Sequence, residues 1–411
     1  MAVVVAVCAL ALVGGYLFKA QCLQPWDGRQ YERLCYNDIQ ALYGVRGVQE
    51  RIFPYVDGRL EGEELVQGAI EYPVLTGVFM WATGAFADDG NDYLKASAVF
   101  LAPFGLLAAY LLARMTKQRA LMWAAAPAIV LYSFHNWDLL VVAAAVLGFW
   151  LWHKGNSVGA AVAFGVGACL KLYPIFFVGP LVLEALMQRD LRRAAQIGAA
   201  GVGTLVLVNL PFALVNPTGW WATFEFHRQR TANYDSIWQF GWPELSPSTL
   251  NVLSGALTLA FFGGILAWGI VRSSKEQDRY PVLATSAALL ATFLLWNKVH
   301  SPQYTLWLLP FFVLLRVNIG WWIAYAVADL LVYVGVFRWF FDLLFRNEDF
   351  TLAKRALIAG VWGRAALLAV LIWVFMRARE HLGVSPATVE APVSHPMPNL
   401  EGVGGQIPAG S

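Results

Sequence analysis

The sequence predicts an all-α, polytopic transmembrane helical bundle, and three observations carry that prediction. Hydrophobic residues make up 58% of the 411-residue chain and charged residues only 14%, against about 25% charged in soluble domains. Apolar runs long enough to cross a hydrocarbon layer recur along the chain. The short loops between them that are rich in Lys and Arg fall on one side when the N-terminus is placed inside, as cytoplasmic loops do.

Taken in order, about 12 spans are predicted near 2–18, 93–113, 121–136, 137–152, 157–171, 173–188, 194–213, 248–271, 281–297, 303–315, 318–338 and 356–376. The first run, MAVVVAVCALALVGGYLF, has no basic leading region and no small-x-small cleavage site before Lys19. It reads as a retained span rather than a signal peptide. The basic loops are RMTKQR (114–119), HK (153–154), QRDLRR (188–193), RSSKEQDR (272–279), Arg316 and RAR (377–379). Three long segments, 19–92, 216–248 and 338–355, then lie on the other side. In the first, IQALYGVRGV (apolar at 39, 42, 43, 45 and 48) and AIEYPVLTGVFMWATGAF (69–86) have helical character. They are expected as helices lying at the membrane interface. After Arg379 the chain turns to Pro, Gly, Ser and Val without periodicity. One domain over 1–379 is therefore expected, followed by a disordered cytoplasmic tail over 380–411.

The formal net charge of +2 argues against a nucleic-acid partner. The four Cys form no C-x-x-C pair, so a structural zinc site is not expected. Cys22 and Cys35 share the first outer loop, a compartment that permits disulfides. A bridge there would contribute roughly 2–4 kcal/mol; two packed thiols are the other reading. Cys8 and Cys169 fall in spans and read as core residues.

Ionisable groups at membrane level are costly, so a cluster of them asks for a reason. The topology brings to the outer level Asp38, Glu71, the His135-Asn136-Trp137-Asp138 run, Lys171, the His227-Arg228-Gln229-Arg230 run, and residues 297–304. Carboxylates and cations around one cavity suit an anionic ligand and a proton to be removed. Lys171, Arg228, Arg230, Lys298 and His300 are the candidate phosphate ligands. Asp38 is the candidate general base, with Tyr36, Asn37 and Glu71 supporting the acceptor or the base. His227, Gln303 and Tyr304 are candidate contacts to the donor or its sugar. Each has a plainer reading. Asp38 suits an N-cap for a helix beginning at Ile39, as Asp138 does for its span. Glu71 suits a helix N-terminus, Lys171 a snorkelling position, and the 227–230 run a solvated face. Trp220, Trp221, Trp238 and Trp242 suit the membrane interface.

Several of these segments resemble a known class. YNDI (36–39) resembles the acidic motif in the first outer loop of the GT-C superfamily of membrane glycosyltransferases. EYPVL (71–75) is similar to a segment of glycosyltransferase family 87, which includes actinobacterial polyprenyl-phosphate-mannose-dependent mannosyltransferases. NWDLLVVAAAVL (136–147), LKLYPIFFVGPLV (170–182) and NKVHSPQYTLWLLPFF (297–312) resemble later segments of the same class. One departure stands out. Many members carry a His pair shortly before W-x-W-L-L-P, where this chain has Gln303 and Tyr304 with His300 upstream; a role of that pair does not transfer.

The resemblance implies an enzyme of the plasma membrane, multi-pass, with its active site on the extracytoplasmic face. It implies inverting transfer of a sugar, mannose first and arabinofuranose as the nearest variant, from a polyprenyl-phosphate donor to a glycolipid or glycan acceptor. Neither G-x-G-x-x-G nor a P-loop is present. No cofactor is expected, and no D-x-D-like motif supports a divalent cation or any other metal. A secondary transporter or lipid flippase is the competing class; against it, the chain shows no two related halves.

Overall fold

A computed structural model describes residues 1–276 and 279–383. The expected tail lies outside the described residues from 384 onward. The chain is an all-α membrane protein, and among the described residues six helices are long and apolar enough to cross a bilayer.

The chain opens with α1 (Ala2–Ala20), followed by the short α2 (Arg29–Glu32) and by α3 (Asp38–Val45). A small antiparallel hairpin comes next, β1 (Arg59–Glu61) with β2 (Glu64–Val66), pairing Leu60 with Leu65. Then come α4 (Val74–Thr83) and the long α5 (Gly90–Thr116). The segment expected as one span at 121–136 is instead two short helices, α6 (Leu121–Ala124) and α7 (Pro127–Tyr132). Pro127 explains the break. A proline disfavours helical geometry in the preceding residue, and Ala126 is extended, with ψ 134°.

A central group of shorter apolar helices follows: α8 (Asp138–His153), α9 (Ser157–Leu170) and α10 (Val178–Met187). The long α11 (Leu191–Val215) leads to α12 (Pro217–Gln229) and the short α13 (Ile237–Gly241). The remainder is α14 (Pro247–Glu276), α15 (Val282–Trp296), α16 (Thr305–Leu314), α17 (Ile319–Phe341) with a π-helical turn to Arg346, and α18 (Leu352–Arg377).

Burial sorts these helices. Every residue of α16 is buried, as is α15 from Val282 to Thr292. A helix that is apolar all round belongs in an interior. The long α11 and α14 instead present Leu207, Leu214 and Leu259 outward, each about 70% exposed, as lipid contact requires. α17 and α18 cross closely: a Cβ on Gly335 would meet the Leu357 backbone at 2.6 Å, and one on Gly360 the Val332 backbone at 2.7 Å. Small residues permit that approach.

The inner helices end together. The start of α8 (Asp138), the end of α9 (Leu170 and Lys171), the end of α15 (Trp296 and Asn297) and the start of α16 (Thr305) reach one end of the bundle. Residues 20–89 and 216–247 cover that end, and the candidate site lies beneath them.

Candidate functional site

Asp38 is the first residue of α3, but it is not the cap. Asn37 fills that role, its side-chain oxygen accepting from the Gln40 backbone N–H at 2.8 Å. The Asp38 carboxylate is thereby left for other partners. Its Oδ2 accepts from Asn136 Nδ2 at 2.8 Å, and the same nitrogen donates to the Tyr72 hydroxyl at 2.7 Å. The backbone N–H of Asp38 donates to the His135 carbonyl at 2.7 Å. Burial raises the Asp38 carboxyl above the ordinary carboxylate range, while the Asn136 bond and the Lys171 charge pull it back.

Tyr72 forms part of the wall of a cavity of about 1120 Å³. Glu71, Lys171, His227, Arg228, Lys298 and Tyr304 line the same cavity. Asp38 stands behind Tyr72, joined to it through Asn136.

Lys171 caps α9 and is buried. Its Nζ lies 3.2 Å from the Asp138 carboxylate and about 5–6 Å from the ring centroids of Tyr72, Tyr304 and Trp307. The other side of Asp138 accepts from Trp307 Nε1 at 2.6 Å. Asp138 therefore anchors the cavity lysine instead of capping its own helix, and the aromatic faces favour a cation above them. Tyr304 stacks on Trp307 at 3.7 Å between centroids, and both rings line the cavity.

Glu71 pairs with Arg46 through two bonds, 2.6 and 3.2 Å, the bidentate geometry of strong ion pairs. Glu71 stands three residues ahead of α4, whose cap is Pro73, and its carboxylate goes to Arg46. His227 Nε2 donates to the Glu71 carbonyl at 2.8 Å. Burial and the nearby Arg230 push its imidazole down to about 4, so His227 is neutral at pH 7 and is a polar contact, not a cation.

The remaining candidates divide. Lys298 donates to the Arg230 carbonyl at 2.6 Å and lines the cavity; burial and Arg230 push it down to about 8. Arg228 reaches the cavity rim but pairs with Glu225 on the exposed face of α12. The Arg230 guanidinium turns to Asn233 and the Phe226 ring and is not in the cavity wall. His300 and Gln303 are buried behind the wall. Burial and Arg364 hold the His300 imidazole well below its usual range, so it presents no charge to a phosphate. Among the described residues no three His, Cys, Asp or Glu side chains converge as a metal-ligand set.

Cys22 and Cys35 are joined as a disulfide. Cys8 and Cys169 are buried thiols.

The sequence alone assigns no role to Asn136, Tyr72, Arg46 or Trp307, although Asn136 belongs to the outer-level run and Asn136, Tyr72 and Trp307 all sit inside segments that carry the resemblance. Their signal was a polar or hydroxyl group at the start of an apolar run. Sequence alone does not say which of several such groups turns toward which carboxylate.

Residues 71–297, more than half of the chain, match the family described as glycosyltransferase family 87. The chain belongs to that family. The match opens on Glu71 and takes in Asn136, Asp138, Lys171 and the 227–230 run. Asp38 and residues 298–304 lie outside it. A comparison with curated proteins finds no match. Membership in family 87 makes the chain a glycosyltransferase, which favours sugar transfer over the transport and flippase readings.

Proposed function

We propose that this member of family 87 transfers mannose from a polyprenyl-phosphate donor to a glycolipid or glycan acceptor, with inversion, at the extracytoplasmic membrane face. The observation that carries the proposal is the two-part character of the 1120 Å³ cavity. One part presents Lys171 and Lys298 with Tyr72, Tyr304 and Trp307. The other runs down α14 past Ser254, Thr258 and Leu259 to Phe262, facing Phe176 and Phe293. From Pro247 to Phe262 a helix rises roughly 22 Å. A ligand with a phosphate at one end and a hydrocarbon tail fits that division.

The chemistry balances. The acceptor hydroxyl gives its proton to Asp38, which is not in the donor cavity wall and meets the acceptor from behind Tyr72, as its oxygen bonds to C1 of the sugar. The bond between C1 and the phosphate oxygen breaks, and lipid phosphate departs with the electron pair. Lys171 and Lys298 stabilise that leaving charge. A carboxyl raised by burial is a stronger base than an ordinary aspartate once ionised, and base catalysis contributes about 100- to 10,000-fold. Arabinofuranose on the same lipid phosphate is the nearest variant. No divalent cation or other cofactor enters this scheme.

The test is transfer of radiolabelled mannose from polyprenyl-phosphate-mannose into a crude lipid extract by the purified protein. Asp38→Asn is expected to abolish transfer while keeping donor affinity. An Asp38→Asn protein that transfers at the normal rate removes Asp38 from the mechanism.

A further inference from the structure

The first span ends in a buried lysine that the transfer step does not use. Lys19 is fully buried at the last turn of α1. Its Nζ donates to the Tyr36 carbonyl at 2.9 Å and to the Tyr333 hydroxyl at 2.8 Å, and lies 3.2 Å from His135 Nδ1. An ammonium has three donors and no acceptor; the Tyr36 carbonyl and the Tyr333 hydroxyl accept two of them, and His135 Nδ1, which also lies 3.1 Å from the Tyr36 carbonyl, accepts the third in the tautomer that carries its proton on Nε2. No carboxylate in the described residues lies within ion-pair distance of it, and Asp38 acts on it electrostatically. A buried amine without a carboxylate partner is expensive to keep, so an otherwise apolar span holds this lysine against a cost.

Its partners explain where the charge acts. Tyr36 is two residues before Asp38, and Tyr333 itself donates to the Leu34 carbonyl at 2.5 Å. His135 supplies the carbonyl that holds the Asp38 backbone N–H, and its neighbour Asn136 holds the Asp38 carboxylate. Lys19 thus grips both turns that meet at Asp38. We propose that Lys19 is a positioning residue for the base: its bonds lock the 34–38 turn to the 135–136 turn, and its charge favours the ionised Asp38. The inference rests on Asp38 being the base.

Other groups face Asp38 from each packed element. Tyr31 and Tyr36 come from its own loop, Glu71 and Tyr72 from the segment before α4, His135 from the turn before α8, and Lys171 from the end of α9. Arg46 offsets Glu71. Lys19 and Lys171 are the two lysines acting on it, and Lys19 is the one placed away from the cavity.

The test compares Lys19→Met, Lys19→Arg and Tyr333→Phe in the full-length protein. Transfer at saturating donor is followed against pH, together with thermal stability and polyprenyl-phosphate affinity. An ionised base makes the rate rise with pH through the Asp38 pKa. Removing a nearby cation moves that rise to higher pH, by about one unit. Lys19→Met is expected to shift it so, with lipid-phosphate affinity within about twofold of the parent; Lys19→Arg keeps it in place. Tyr333→Phe removes a bond but no charge and leaves the rise where it was. Should Lys19→Met not fold, Lys19→Gln gives the same reading. An unmoved rise in the charge-removing variants, or an equal shift in Tyr333→Phe, makes Lys19 merely structural and overturns the proposal. Titration of the Asp38 carboxyl, read as the infrared band that Asp38→Asn lacks, gives the same answer without turnover. A protein that transfers no mannose therefore tells against the proposed activity and leaves the Lys19 question decidable.

Discussion

Asp38 and Asn37 divide two tasks between adjacent positions. Either residue makes a good N-cap. Asn37 takes the cap, and α3 then points the next side chain toward Asn136. Asp38→Glu keeps the charge but adds a methylene against fixed partners, so it is expected to retain donor affinity and lose about 100-fold in turnover, measured as the kcat for sugar transfer. Lys298 makes a separate prediction through pH. Burial and Arg230 hold it at about 8, so its charge is complete below that pH and lost above it. Affinity for polyprenyl phosphate should fall several-fold as pH rises from 7 to 9. In Lys298→Met the fall should be absent over that interval, as read by equilibrium binding.

Elements set how much of the site was visible beforehand. Apolar runs marked the helices that build the bundle, because a long apolar run has few alternatives in a membrane. The same logic overran at 121–136, where Pro127 divides the run, and it did not register the hairpin of β1 and β2. Asp38, Glu71, Lys171, Lys298 and Tyr304 were legible as costly or unusual residues at span ends. Their partners were not. Arg46 meets Glu71 from 25 positions away, and Trp307 meets Asp138 from 169. Such pairs depend on how helices dock, which periodicity does not encode. His300 was misleading because a histidine beside Lys298 reads as a cation until its burial is known. The disulfide belongs to this scale as well. Cys22–Cys35 closes a 13-residue separation directly ahead of Asp38. Replacing both cysteines by Ser is expected to cost about 2–4 kcal/mol of stability. It should also lower turnover more than donor affinity, because the freed segment leads directly into Tyr36, Asn37 and Asp38 and does not carry the cavity lysines. Thermal unfolding and a split of kcat from KM check the two effects.

Across the whole molecule, a second buried network joins the outer helices to the cavity. Arg364, in the middle of α18, donates to the Asp329 carboxylate of α17 at 3.3 Å and to the Asp235 carbonyl at 2.7 Å. Asp329 also accepts from Tyr132 of α7 and from Thr305 of α16, at 2.6 and 2.7 Å. Thr305 follows Tyr304 of the cavity wall. Nearby, Asn233 binds the backbone of both Lys298 and His300. One guanidinium therefore ties the α17–α18 pair to the two loops that carry the lipid-phosphate end of the cavity. Removing one member of a buried ion pair strands the other, at about 3–5 kcal/mol, whereas replacing both costs much less. Arg364→Met is thus expected to lower stability by that amount and to weaken polyprenyl-phosphate binding, although Arg364 does not line the cavity. Arg364→Met combined with Asp329→Leu should recover only part of the stability, because the buried Asp235 carboxylate, 4.0 Å from the guanidinium, is still stranded, and it should not recover the binding, since Thr305 and the Asp235 loop remain without their anchors. Thermal unfolding paired with lipid-phosphate titration separates these outcomes. Stability and binding that return together in the double variant would mean that the network holds the helices alone and does not reach the cavity.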